Sequence, residues 1–137
     1  MPKINLTDRF VATAKAKQAS GDYAAAAKAY EQVVAKSPAD WPRRSEAIYG
    51  WVFSLQHAKD DAACVSVGRK YLPEVKGAAI PGDYAGTLLD CAGDAKEGEA
   101  KLAHAEAVAR LKEFTANPPA DASADDRADA WNILSGA

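Results

Sequence analysis

The stretch GDYAAAAKAYEQVVAKSP, residues 21–38, decides the class of fold. Within it Tyr23, Ala26, Ala27, Tyr30, Val33 and Val34 recur at spacings of three and four, which puts them on one face of an α-helix. Both ends are marked. Gly21 suits the left-handed conformation that closes a preceding helix, and Pro38 cannot continue the helix before it.

Working outward from this segment, the same period recurs. Upstream, Asn5 or Thr7 can cap a helix running to about Ser20, with Phe10 and Ala14 on its inner face. The first unit is therefore a helical hairpin over about 5–38. A second hairpin, about 41–73, carries Ile48, Trp51, Val52 and Leu55 on its first helix. It turns at Lys59-Asp60-Asp61 and places Cys64, Val65, Gly68, Tyr71 and Leu72 on the second helix. Residues 73–82 hold two prolines and two glycines and form the expected hinge. A third hairpin, about 81–116, has Tyr84, Leu88 and Leu89 inward and a turn at Gly93-Asp94. Its second helix, from about Ala95, carries Ala100, Ala103, Ala107, Val108, Leu111 and Phe114 on one stripe and ends at Asn117-Pro118-Pro119. A short last helix over about 123–135 starts at a capping box of Ser123 and Asp126, with Ala128, Trp131 and Leu134 as its apolar face. Seven helices and no strand are expected.

Composition agrees with an all-α class. Alanine fills 32 of 137 positions while β-branched residues are sparse, a bias toward close-packed helices. A chain of this length buries enough surface to fold without a metal or disulfide staple. With 17 basic and 19 acidic residues the net charge is -2, and no basic block is long enough to track a phosphate backbone, so nucleic acid is not an expected partner. No apolar run reaches the ~20 residues of a membrane span, and residues 1–9 lack the apolar core of a signal peptide. A cytoplasmic location without membrane contact is expected.

The groups able to do chemistry are few. Cys64 and Cys91 are not part of a CxxC pair and read as buried apolar fillers, with neither chelator nor reductant expected to change stability. No pairing of His57, His104 and the cysteines has zinc spacing, and Lys101 stands where a Glu-x-x-His motif would need its glutamate. Gly82, Gly86, Gly93 and Gly98 are scattered and follow no strand, so no phosphate-cradling loop is expected. The acidic cluster Asp121, Asp125, Asp126 and Asp129 lacks the alternating spacing of a calcium loop and suits the first turn of a helix, where carboxylates complement the dipole. The expectation is a non-enzyme without cofactor or metal.

The pattern Gly21-Asp22-Tyr23, Ala26, Tyr30 and Pro38, with Phe10 and Ala14 upstream, resembles the tetratricopeptide repeat, whose helical hairpins recur about every 34 residues. The resemblance extends over about 5–116 in three units, degenerate in the second and third. It implies a right-handed superhelical array of hairpins, its last apolar face covered by the terminal helix as a cap. It also implies an adaptor that holds a peptide or helix of another protein on the concave face, lined mainly by the first helix of each hairpin. Val11, Lys15 and Gln18 would line that face in the first unit, Tyr49, Phe53 and His57 in the second, and Asp83, Thr87 and Asp90 in the third. The family's clamp for a C-terminal carboxylate needs polar residues where Val11, Gly50, Ile80 and Tyr84 stand, so that ligand class is not implied. The alternatives are a homo-oligomer assembled through the same aromatics and a closed helical bundle.

Overall fold

A computed structural model describes residues 6–137, with side chains from Asp8 onward, and every regular element among them is a helix. These are α1 (Leu6–Ala19), α2 (Tyr23–Lys36), α3 (Arg44–His57), α4 (Asp61–Tyr71), α5 (Ile80–Ala92), α6 (Gly98–Ala116) and α7 (Ala124–Gly136). The cap expected at Asn5 lies outside the described residues, as does the side chain of Thr7. Helix α6 begins three residues later than expected, because Gly98 has φ +77° and the chain from Gly93 to that point is not helical. None of the helices is long and apolar enough to cross a membrane.

The turns explain where the helices stop. Gly21 has φ +84°, its N–H donates to the Gln18 carbonyl, and the next N–H, of Asp22, reaches back to the Lys17 carbonyl. The Asp22 carboxylate then accepts from the Ala25 N–H and caps α2. The second hairpin repeats this turn with different residues. Lys59 has φ +65° and donates to Gln56, Asp60 donates to Leu55, and the Asp60 carboxylate accepts from the Ala63 N–H to cap α4. The third unit departs from the scheme: the N–H of Gly93 bonds to Leu89, and a longer loop follows. Before α7, Ser123 and Asp126 form the expected capping box, with both hydrogen bonds at 3.0 Å.

Each helix packs against the next, and α1–α3, α3–α5, α5–α7 and α4–α6 are neighbours as well. Among the described residues no helix meets one more than two places away along the chain, so α1 does not return to α5, α6 or α7. The core runs through the row as one cluster, from Val11 and Ala14 through Ile48 and Val52 to Tyr84, Leu88, Leu111 and Ala130. Glycines set the closest approaches. A Cβ on Gly50 of α3 would lie 2.5 Å from the ring of Tyr30 on α2, and one on Gly68 of α4 would lie 2.8 Å from Leu88 on α5. Beside the latter contact the buried Tyr84 hydroxyl donates to the Gly68 carbonyl at 2.7 Å.

Four expectations are corrected. First, Cys64 and Cys91 are not free fillers: they form a disulfide between α4 and α5, with Cα atoms 6.1 Å apart, and both residues are buried. The two thiols sit on facing stripes 27 positions apart in sequence, a pairing that spacing alone does not reveal. Second, Phe10 is 38% exposed, whereas Val11 and Ala14 are enclosed. The smaller pair packs inward near alanine-rich α2, and the Phe10 ring lies at the edge with the Lys36 ammonium 5.1 Å above it. Third, Trp131 is 55% exposed and α7 turns Ala130, Ile133 and Leu134 inward. Gly82 and Gly86 leave a notch on α5 that takes Ala130 and Ile133, and an indole is too large for it. Fourth, the segment between α4 and α5 is pinned rather than a free hinge. Val75 is buried, its carbonyl accepts from Arg110, the Lys76 N–H donates to Ser45, and Glu74 pairs with Arg44.

Candidate functional site

The odd-numbered helices α3, α5 and α7 line most of an open groove of about 630 Å³. Tyr49 contributes from α3, and Asp83, Gly86, Thr87, Leu89 and Asp90 contribute from α5. Asn132 and Ile133 come from α7, Asp94 from the loop after α5 and His104 from α6. The period of α5 explains its share, because residues 83, 87 and 90 fall on one face of a helix. Thr87 is nearly buried and its hydroxyl donates to the Asp83 backbone carbonyl, one turn back on the same helix, at 3.1 Å.

Aromatic rings continue from this groove along α3. The ring of Tyr49 lies 6.5 Å from Tyr84 and 5.9 Å from Phe53. Phe53 stacks on His57 at 3.9 Å, and Tyr23 of α2 closes the row at 4.9 Å from His57. The His57 ring is held by a 3.0 Å contact from Nδ1 to the Phe53 carbonyl. Tyr49 and Phe53 are half-buried, and His57 is exposed.

The charged side chains that line this groove are acidic. Asp83, Asp90 and Asp94 have no lysine or arginine within ion-pair distance among the described residues, and no lysine or arginine lines the groove. Although Asp83 is largely open, burial of its inner side raises its pKa, and the charges of Asp129 and Asp126 raise it further. Burial likewise raises the pKa of the Tyr49 phenol; the nearby Thr87 hydroxyl opposes that shift and the charge of Asp83 adds to it. Among the described residues no three His, Cys, Asp or Glu side chains stand together as a metal-binding group.

A larger hollow, about 750 Å³, lies at the start of α3 and holds Arg43, Arg44, Lys76, Arg110 and Trp41. Its guanidiniums are already engaged. Arg44 pairs with Glu74 and donates to Val34 and Ser37, Arg43 bonds Glu46 and Asp8, and Arg110 donates to Val75. These contacts fasten α1, α3 and the α4–α5 connection together, so the hollow is a structural joint.

The residues expected on the concave face therefore divide into three groups. Tyr49, Asp83, Thr87 and Asp90 meet around the groove. Phe53 and His57 continue from it in the aromatic row. The first-unit residues do not join them: Val11 is 1% exposed and lines no surface, a correction that follows from the rotation of α1. Lys15 instead pairs with Glu46, and the Gln18 amide reaches Ser54 at 3.5 Å. Sequence reasoning missed Tyr23, Asp94, His104, Asn132 and Ile133. Only Gly82 and Gly86, four apart on α5, carried a signal, since two small residues at that spacing mark a place where another helix approaches. Compared with known protein families, curated proteins and solved structures, the chain gives no match.

Proposed function

We propose that the chain is a non-enzymatic interaction module of tetratricopeptide-like hairpins, with α7 as its cap, that holds a segment of another protein in the groove between α3, α5 and α7. The observation that carries this reading is the groove itself, where Tyr49, Asp83, Thr87 and Asp90 surround one cavity although they come from two helices. Two further features support it. The row of odd-numbered neighbours, with α4 and α6 side by side, suits stacked hairpins better than a ring of helices, and the turns at Gly21-Asp22 and Lys59-Asp60 share one hydrogen-bond scheme. Truncating Tyr49 to alanine should weaken partner binding by ~1–3 kcal/mol with the helical circular dichroism unchanged. A partner recovered equally well by the unaltered chain and by Tyr49→Ala would overturn the assignment.

Self-association is the second reading, and the exposed Trp131 on the last helix favours it. Light scattering across concentration separates the two: a dimer abolished by Trp131→Ser supports assembly through the cap. The buried Cys64–Cys91 link favours work in a compartment where thiols stay oxidised over the cytoplasmic location expected from the sequence. Alkylation of the chain taken directly from its source cells tests this, since two blocked thiols would place it in a reducing compartment.

A further inference from the structure

We propose that α7 is a movable wall of the groove, which leaves α5 and returns to it while α1–α6 stay folded. The movement stands on its own geometry, and its role in admitting a partner segment rests on the interaction reading above.

Three observations lead to it. Among the described residues, α7 is the one helix that no hydrogen bond, ion pair or disulfide joins to another. Lys15 and Gln18 tie α1 to α3, and Arg44 ties α3 to α2. The Tyr84 hydroxyl and the disulfide tie α5 to α4, and Arg69 ties α4 to α6, whereas the side-chain hydrogen bonds of α7 stay within the helix and its cap. Its seat is also narrow. Ala130 is its only buried residue, Asp126, Ile133 and Leu134 are half-buried, and the rest, Trp131 included, are exposed. Ile133 rests over Gly86, where an added Cβ would lie 3.2 Å from it, and Ala130 rests over Gly82. Finally, like charges face one another across that seat, because Asp126 and Asp129 of α7 lie close enough to Asp83 of α5 to raise its pKa. A few apolar side chains alone therefore hold α7 against this repulsion, and segments held by so few contacts open at low free energy. The joint permits it, since Ala120, Asp121 and Ser123 between α6 and α7 are exposed. When α7 leaves, Asn132 and Ile133 withdraw from the groove, the Gly82–Gly86 face of α5 is uncovered, and the groove widens along α5.

Hydrogen exchange of the full chain, followed by NMR, tests the movement. A helix of 13 residues is marginal in water by itself, so its amides exchange once it leaves α5. Amides 129–133, in the middle of α7 and clear of its ends, should be protected at least about a hundredfold less than amides 85–91 of α5. Ile133→Ala removes part of one seated side chain, and it should lower the protection of α7 by about another tenfold while leaving α5 unaltered. Ile133→Asp, which cannot dock, should keep the circular dichroism of α1–α6 and expose residues 82–87 to relaxation by a soluble gadolinium chelate. Equal protection of α7 and α5, equal losses in both helices with Ile133→Ala, or a chain that unfolds throughout with Ile133→Asp would overturn the inference. The groove reading fails separately. If α7 moves as expected but Tyr49→Ala recovers a partner as well as the unaltered chain does, the movement stands without that reading. If Tyr49→Ala loses the partner while α7 exchanges only together with α5, the movement alone falls.

Discussion

Breaking the bond between Cys64 and Cys91 should cost the protein about 3.5 kcal/mol of stability. The bond spans 27 residues, and the chain-entropy relation for a loop of that size gives roughly 12 cal/mol/K of lost freedom in the unfolded state, hence about 3.5 kcal/mol at 25 °C. Geometry explains why the constraint is compatible with the fold. Cys64 lies in the first turn of α4 and Cys91 at the end of α5, so the α4–α5 connection ties one end of this antiparallel pair and the disulfide ties the other. Both residues are buried, so reduction should be carried out in denaturant and the chain refolded with reductant present. Urea unfolding followed by circular dichroism is the assay. With an m-value of about 2 kcal/mol/M, the midpoint of the reduced chain should fall by nearly 2 M, and the double variant Cys64→Ala with Cys91→Ala should behave alike. An unchanged midpoint in a sample whose mass confirms two free thiols would refute the argument.

Other perturbations test separate parts of the fold. Gly50→Ala should destabilise by ~1–3 kcal/mol despite alanine's better helix propensity, because its Cβ meets the Tyr30 ring at 2.5 Å; a raised unfolding midpoint would show that α2 and α3 can move apart freely. Lys59→Gly should stabilise by about 1 kcal/mol, since Lys59 holds φ +65° where the equivalent turn has Gly21, and a lower melting temperature would contradict the shared turn. The carboxyl of Glu46 is held below its usual range, first by the hydrogen bond from Arg43 and then by Lys15. Its stabilising contribution is present above the ordinary glutamate pKa and is lost as pH falls through the depressed value. Glu46→Gln should therefore flatten the acid limb of the stability profile, and an unaltered limb would show that the Lys15–Glu46–Arg43 cluster is not coupled to folding.

The parts of this structure legible in the sequence are those with local causes. Gly21-Asp22 and Ser123 with Asp126 announce helix ends because the groups that satisfy the free N–H atoms lie within three residues of them. The meeting of Tyr49 with Asp83, Thr87 and Asp90 has no local signal, because it depends on how α3 and α5 are turned toward each other. Rotation of a helix about its axis was harder to read. In α7 both Ala128-Trp131-Leu134 and Ala130-Ile133-Leu134 make apolar stripes, and the choice is made by the glycine notch on α5, far away in sequence. Helix α1 poses the same problem with Phe10 and Val11 as the competing inward residues. The disulfide was hidden for a related reason, since a pairing across 27 residues depends on how α4 and α5 are turned toward each other.

The restriction of helix contacts to near neighbours also sets the order in which the molecule comes together. Interactions between elements close in sequence form quickly, on scales of microseconds to milliseconds for helical proteins, whereas disulfide formation takes seconds to hours. The hairpins therefore assemble first and bring Cys64 to Cys91, and oxidation seals an arrangement already reached. With two cysteines in the chain there is one intramolecular pairing, so maturation requires an oxidant but no isomerase to sort mispaired species. A newly made chain in a reducing environment would reach the same helical arrangement and stop one covalent step short.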